Sequence, residues 1–300
     1  MLFRTMAEGE LGRVLKCLDD PARFERLLET GGYRPEWTWL AVDGDAIEGV
    51  AVWWGFPTSE RPLALDTLWA APDVPDPAEL WAALIRRVPP PFEFHLFTLP
   101  GHEQDRDVTL RLAAAELAGL SDVNERLRYQ WTAADPLPRR SARLTFEPEP
   151  DDEKFAAVFA SISEGSLDVD TRAGVARLGA LEHAREDIAL YKQMRGPRDQ
   201  WRVAFDQRGE VVGVAMPSAN DGGPVVGFVG VVPGQRGRGY ADDLLAEITH
   251  ILAEEGATTI RADTDKVNTP MAASFERCGY RVFAIRIVAT FPISLSGVTG

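Results

Sequence analysis

A glycine- and arginine-rich run in the second half of the chain has the residue types of an anion-binding loop. Gly234-Gln235-Arg236-Gly237-Arg238-Gly239 follows an apolar segment, residues 225–232, and precedes a segment whose apolar residues recur with helical spacing. The first N–H groups of a helix have no partner within the helix, and the helix dipole favours negative charge there. Glycine also lets a ligand approach the backbone closely. The sequence therefore predicts a phosphate site at this strand-to-helix turn.

The spacing of the loop residues argues against two other phosphate-binding motifs. No Gly-Lys-Ser/Thr follows, so the loop does not match a Walker motif, and the spacing of Gly234, Gly237 and Gly239 does not match a dinucleotide fingerprint. A tight strand-to-helix turn without any ligand remains the simplest alternative for the Gly-x-Gly pattern taken alone.

The elements around the loop alternate between strands and helices. Apolar and turn residues predict strands at 143–146, 201–205, 210–216, 225–232, 258–263 and 280–290. The helix after the loop is expected to end at Gly256, and a last helix is expected to open at Asn268-Thr269-Pro270 and to end at Gly279.

The first half of the chain repeats this order. Strands are predicted at 38–42, 46–54, 63–69 and 92–98, and helices at 77–88 and 109–118. We predict an α/β fold with a mixed sheet, built from two copies of one module at 1–135 and 141–300. The Pro-rich stretch 133–140 has the character of a linker.

The two predicted modules differ at the loop. In its place the first half has Ala70-Ala71-Pro72-Asp73-Val74-Pro75-Asp76-Pro77. Prolines lack the N–H groups that a phosphate cradle needs, and the two aspartates would repel phosphate. The first module is therefore expected to be degenerate, with one cofactor bound per chain.

Two motifs together resemble the Gcn5-related N-acetyltransferase (GNAT) superfamily. Arg236, Gly239 and Ala241 meet the Arg/Gln-x-x-Gly-x-Gly/Ala signature that follows the fourth strand of that family. The run that starts at Asn268 and ends at Cys278-Gly279-Tyr280 resembles its Asn-x-x-Met/Ala…Gly-Phe helix. The tandem arrangement is similar to that of mycothiol synthases, from which only the architecture is inferred.

The resemblance implies an acetyl-CoA site. The pyrophosphate would lie on the backbone of residues 236–241, and the pantetheine arm would run along strand 225–232 with main-chain pairing near Val231. Asn268 would touch the pantetheine or help to separate two strands. The residues expected to bind the cofactor are Val231, Val232, Gln235, Arg236, Gly237, Arg238, Gly239, Tyr240, Ala241, Asn268 and Phe275.

The proton chemistry departs from the family pattern. Many members have a tyrosine on the last helix to protonate the leaving thiolate, and here that position is Phe275. Acids crowd the segment 161–170, which in this family forms the acceptor wall. We expect Glu164 and Asp168 to bind a cationic amine or to relay its proton through water, and a solvated acidic loop is the alternative. Asn220 and Asp221 are second choices.

The composition of the chain bears on its partners, its localisation and metal binding. The chain has 300 residues and a formal charge of −14, which argues against nucleic acid as a partner and is compatible with an amine substrate. The absence of a long apolar stretch or a basic leader, and the use of only two cysteines, predict a cytoplasmic protein with no membrane partner. The four scattered histidines predict no metal site. The chain is expected to be a monomer or a homodimer.

The sequence thus predicts an acyltransferase that moves an acetyl group from acetyl-CoA to a primary amine of a small molecule or peptide by direct attack. The alternative is a CoA-binding scaffold or sensor that has lost turnover, which the phenylalanine at 275 favours. A nucleotide-phosphate binder is a third reading, because the fold alone does not choose the ligand.

Overall fold

The computed structural model describes residues 1–292. The first half of the chain contains these elements: β1 (Leu2–Thr5), α1 (Leu11–Val14), α2 (Pro21–Glu29), β2 (Thr38–Asp43), β3 (Ala46–Trp54), β4 (Ala64–Ala70), α3 (Pro77–Ile85), β5 (Glu93–Thr98) and α4 (Arg106–Leu117). The rest of the chain contains these: β6 (Asp122–Thr132), β7 (Leu144–Pro148), α5 (Asp152–Ser163), α6 (Val169–Leu178), α7 (Ala180–Tyr191), β8 (Arg202–Asp206), β9 (Val211–Asn220), β10 (Gly223–Val231), α8 (Tyr240–Glu254), β11 (Thr259–Asp265), α9 (Thr269–Arg277) and β12 (Arg281–Thr290).

These elements form two compact units. The first unit is Met1–Glu125 together with residues 285–292, and the second unit is Arg126–Ala284. Strands β6 and β12 therefore each contribute residues to both units. The division of the sequence into modules at 1–135 and 141–300 stays a prediction, whereas the α/β class and the mixed sheet are confirmed.

The sheet of the first unit has the strand order β1-β2-β3-β4-β5-β12. The pair β4–β5 is parallel, and the end of β12 runs antiparallel to β5, with Ile287 opposite Leu96. Buried side chains of α1 and α2, among them Val14 and Phe24, form one cluster with Leu40 of β2 and Val50 of β3.

The sheet of the second unit has the order β6-β11-β10-β9-β8-β7. Strands β10 and β11 are parallel, and the other described pairs in this unit are antiparallel. The hairpin β8–β9 turns at Gly209, whose φ of 77° suits glycine. Its position matches the predicted turn.

Helices cover both faces of the second unit's sheet. On one face, α8 and α9 bury a cluster that includes Leu244, Ile248 and Phe275. On the other face, α5 and α7 bury a cluster that includes Phe155 and Ile188. Helix α8 ends at Glu254 and is followed by Gly256 with φ of 93°, as the predicted glycine stop requires.

Candidate active site

Strands β10 and β11 separate shortly after they meet. Strand β10 pairs with β9 from Gly223 to Val231, but its described pairing with β11 is limited to Val225 opposite Arg261. Beyond that point the backbone groups of β10 that face β11 are available to a ligand carrying amides. The separation opens toward the residues that follow β10, which form the glycine loop.

The glycine loop presents uncapped N–H groups. Gly237 and Gly239 have φ values of 76° and 73°, a region that disfavours other residues. Gly239 is the N-cap residue of α8, and no side chain caps this helix. The N–H groups of residues 237–241 donate to no other group in the described part of the chain. They form an anion cradle at the positive end of a helix of 15 residues.

Arg236 fixes this loop to the end of α5. Its Nη2 and Nη1 donate to the carbonyl oxygens of Ile162 and Glu164, each at 2.6 Å, and its Nε donates to Val231 O at 3.1 Å. The guanidinium therefore satisfies carbonyl groups at the end of a helix, where a cation is favourable. It holds the shape of the loop, because its Nε, Nη1 and Nη2 all donate to carbonyl oxygens of the chain.

The other residues predicted to bind the cofactor occupy different surroundings. Gln235 is buried and donates to Glu210 at 3.2 Å. Arg238 is exposed, and its side chain reaches only Gly234 O at 3.4 Å. Asn268 caps α9 by accepting the N–H of Met271. The half-buried residues among the predicted set are Val231, Val232, Tyr240, Ala241 and Asn268.

Phe275 is buried in the core beneath α9 and is 1% exposed. Its ring stacks on Tyr129 with centroids 4.9 Å apart, and meets Tyr280 edge-on at 5.4 Å. The Tyr280 hydroxyl is hydrogen-bonded to Thr249 at 2.8 Å. Burial, with a contribution from Glu276, raises the pKa of Tyr129 to about 12, and burial raises the pKa of the Cys278 thiol to about 12. None of these groups is ionised near neutral pH.

The acidic segment predicted to form the acceptor wall connects α5 to α6. Glu164 is exposed at the end of α5. Asp168 caps α6: its Oδ1 accepts from the N–H of Thr171 at 2.8 Å and from the Thr171 hydroxyl at 2.9 Å. Its Oδ2 lies 3.4 Å from Arg126. Asp168 thus organises this end of α6, and Glu164 points a carboxylate at solvent.

Arg126 is the residue in this region that the motifs did not indicate. It is 9% exposed and faces four carboxylates at distances from 2.9 to 3.4 Å: Asp168, Asp170, Asp263 and Asp265. Asp265 is fully buried and also accepts the N–H of Val169 at 2.6 Å. The alternation of acids in Asp263-Thr264-Asp265 on β11 was the available sequence signal.

A further acid lies on α7. Asp187 lies 3.4 Å from His183. Burial raises the pKa of Asp187 to about 6, against the opposing effect of His183, and Asp168 and Glu186 raise it further. A carboxyl group with this pKa can exchange a proton near neutral pH.

The first unit closes off the equivalent helix start. Strands β4 and β5 pair in the described structure at Ala64–Glu93 and Leu65–Phe94. Helix α3 then begins with Pro77, and Asp76 caps it by accepting the N–H of Glu79 at 3.1 Å. The chain's own carboxylate thus occupies the place where the second unit leaves N–H groups uncapped. Within residues 1–292 no group of His, Cys, Asp or Glu is arranged to hold a metal, and no helix is long and apolar enough to cross a membrane.

Comparisons with known proteins identify related sequences and folds. Residues 172–280 match the profile of the Acetyltransferase (GNAT) family. A comparison with curated proteins finds no significant match. A GCN5-related N-acetyltransferase from Sphaerobacter thermophilus superposes with a TM-score of 0.61 at 17% identity, over 96% of this chain and 94% of that chain.

Two further structures have the same fold over nearly their whole length. A tandem GNAT protein from the clavulanic acid biosynthesis pathway has a TM-score of 0.55 at 18% identity, over 96% of this chain and 97% of that chain. A GNAT-family acetyltransferase from Colwellia psychrerythraea has a TM-score of 0.51 at 10% identity, over 97% and 100%. Residues 172–280 are therefore similar to the GNAT acetyltransferase family, and the chain as a whole has the fold of tandem GNAT proteins.

Proposed function

We propose that the protein transfers an acetyl group from acetyl-CoA to a primary amine of a small molecule or peptide. The observation that carries this proposal is the cradle of five unpartnered N–H groups at residues 237–241, directly beside the separated strands β10 and β11. A pyrophosphate fits the cradle, and the amides of a pantetheine arm fit the backbone of β10 that β11 leaves unpaired. The two features together match an acyl-CoA better than a nucleotide triphosphate, which carries no amide arm.

The chemistry follows from the groups near this opening. The deprotonated amine attacks the thioester carbonyl, and the tetrahedral intermediate collapses with cleavage of the C–S bond to give the amide and the CoA thiolate. A thiol with a pKa of about 8.5 leaves without much assistance near neutral pH. The phenylalanine at 275 is therefore compatible with turnover, and the thiolate takes its proton from solvent.

The proton of the attacking amine leaves on the acceptor side. We assign this role to the acidic segment after α5, with Glu164 receiving the proton through water and Asp168 holding the start of α6 in place. The exposure of Glu164 supports the first role, and the paired contacts of Asp168 to Thr171 support the second. Excess negative charge on this side also attracts a cationic amine before it loses its proton.

The second candidate is a CoA-binding scaffold or sensor without turnover. The burial of Phe275 between Tyr129 and Tyr280 favours this reading, because no described hydroxyl replaces the usual tyrosine at that position. The two candidates share the cradle and differ only in chemistry.

One experiment separates them. Acetyl-CoA is titrated into the protein by calorimetry, and free thiol is then followed with a panel of small amines and amino-terminal peptides. Binding with amine-dependent thiol release that falls in Glu164→Gln supports the transferase. Binding without release across the panel supports the scaffold. Tighter binding of ATP than of acetyl-CoA contradicts both and supports a nucleotide-phosphate binder.

A further inference from the structure

A second basic feature lies beside the cradle and is not used by it. A surface cavity of about 360 Å³ is lined by Arg139, Arg140, Ser141, Ala142, Arg143 and Asp243. We propose that this cavity binds a phosphomonoester, and that its ligand is the 3′-phosphate of the donor CoA. The proposal rests on the proposed function, since it concerns the far end of the same donor.

The local charge of this segment opposes that of the chain. Residues 139–143 hold three arginines and no acid, in a protein with a formal charge of −14. Arginine binds phosphate oxygens through paired N–H donors that match their geometry. A short basic segment on an acidic protein therefore concentrates anion binding at one place.

Arg143 connects the cavity to the cradle. Its Nη1 donates to Arg238 O at 2.9 Å, inside the glycine loop, and its guanidinium lies 4.4 Å from the ring centre of Tyr240. Its Nε and Nη2 bind Asp243 at 3.0 and 2.5 Å. In CoA the pyrophosphate and the 3′-phosphate are carried by one ribose, so a site for one must adjoin a site for the other. Arg143 supplies that adjacency.

Arg139 and Arg140, the other two arginines of the cavity, differ in whether they form ion pairs with acidic side chains. Arg140 pairs with Glu247 and Glu254. Arg139 is exposed and makes no hydrogen bond or ion pair with another described residue. The turn that presents them is fixed by Ser141, whose Oγ accepts the N–H groups of Arg143 and Leu144, each at 3.2 Å. Arg139 is thus the cation with capacity for an added anion.

The test compares CoA with dephospho-CoA, which lacks only the 3′-phosphate. Affinities are measured by calorimetry at low ionic strength for the unaltered protein, for Arg139→Ala and for Arg61→Ala. Arg61 is an exposed arginine of the first unit, so its replacement gives the same change in net charge at a distant place in the sequence. Neither residue contributes to a buried cluster, so both variants are expected to fold.

The unaltered protein is expected to bind CoA about tenfold more tightly than dephospho-CoA, as for one charge-assisted contact. Arg139→Ala should weaken CoA binding about three- to tenfold and leave dephospho-CoA binding unchanged. Arg61→Ala should change neither. Adenosine 3′,5′-bisphosphate should compete with CoA, and less well in Arg139→Ala.

Equal binding of CoA and dephospho-CoA overturns this inference and leaves the proposed function standing. The inference is also overturned when Arg139→Ala and Arg61→Ala lower the affinities of both ligands alike, because only net charge then matters. Failure of both ligands to bind overturns the proposed function, and the inference with it.

Discussion

Asp76 accepts a hydrogen bond from the backbone N–H of Glu79 at 3.1 Å and so caps the helix that follows the fourth strand of the first unit. At the matching helix start of the second unit stands Gly239, which has no side chain to do this. The first helix start is thus capped by a carboxylate of the chain, and the second has no side-chain cap. Because the difference depends on one residue, a single substitution can introduce the cap into the second unit.

Gly239→Asp should remove donor binding. The new carboxylate would cap α8 and place negative charge where the pyrophosphate is proposed to lie, and an L-residue at φ of 73° adds about 1 kcal/mol of strain. Gly256→Asp is the matched control, because Gly256 has φ of 93° and open space around it. Similar losses of thermal stability are expected in both variants, with loss of acetyl-CoA binding in Gly239→Asp alone. Retained binding there would place the phosphates elsewhere.

Replacing Arg236 and replacing Arg238 should have different effects on stability and on donor binding. Arg236 satisfies three carbonyl oxygens, so Arg236→Ala should lower the free energy of unfolding by about 1–3 kcal/mol and weaken donor binding through a disordered loop. Arg238→Ala should leave stability unchanged within about 0.5 kcal/mol. Its effect on donor affinity should shrink as salt is added, because an exposed cation acts through screened attraction. Denaturant unfolding and calorimetry at two ionic strengths check both. The reverse pattern would make Arg236 the phosphate ligand.

Local features of the sequence predicted much of the fold because they specify turns and caps. The strand 46–54 is found as β3 (Ala46–Trp54), since Asp43-Gly44-Asp45 leaves no other place for the turn. Asn268 caps α9 as predicted, because its side chain can only reach the next turn. Helix α3 ends at Ile85, three residues before the predicted end, as the chain leaves the helix ahead of the prolines at 89–91.

The contacts that the sequence did not predict join residues that are far apart along the chain. Arg126 and Asp263 lie 137 positions apart and meet only because β6 pairs with β11. No local period or motif reports such a pair. The hydrogen bonds of Arg236 could not be predicted for the same reason: the signature identifies the residue, but its carbonyl partners Ile162 and Glu164 lie about 70 positions upstream.

Phe275→Tyr tests whether the absence of a tyrosine hydroxyl at this position slows thiol release. The phenylalanine is 1% exposed, so a buried hydroxyl without a partner should lower stability by about 1–3 kcal/mol. Where the hydroxyl reaches the leaving sulfur, amine-dependent thiol release should rise, up to about 100-fold. Phe94→Tyr in β5 of the first unit, also 1% exposed, is the control for burial alone. Equal losses of stability with no change in thiol release would show that this ring edge does not face the acyl group.

Asp187 should make stability depend on pH near 6. Burial raises its pKa to about 6, above the unfolded value of about 3.9. The folded state therefore binds this proton more tightly, and the stability it contributes below pH 4 is lost as the pH rises through 6. Asp187→Asn should match the unaltered protein at pH 4 and exceed its stability at pH 8 by about 2 kcal/mol. Glu186→Gln, at an exposed neighbouring position, removes only the smallest contribution to the raised pKa of Asp187 and should gain much less stability at pH 8. A loss of stability in Asp187→Asn at every pH would show that the carboxylate supports His183.

Replacing Arg126 should lower the free energy of unfolding more than replacing Arg128, the other arginine of β6. Arg126→Met leaves Asp168, Asp170, Asp263 and Asp265 facing one another, and removal of one partner from a buried ion network costs about 3–5 kcal/mol. Arg128→Met on the same strand removes a stack over Phe283 at 5.0 Å and should cost about 1 kcal/mol. Lower pH should partly restore Arg126→Met, because protonation relieves the repulsion among the carboxyls. Denaturant unfolding at pH 5 and pH 8 measures both effects. A loss under 1 kcal/mol at pH 8 would mean that water already screens these aspartates, and that the cluster is a solvated surface of the acceptor side.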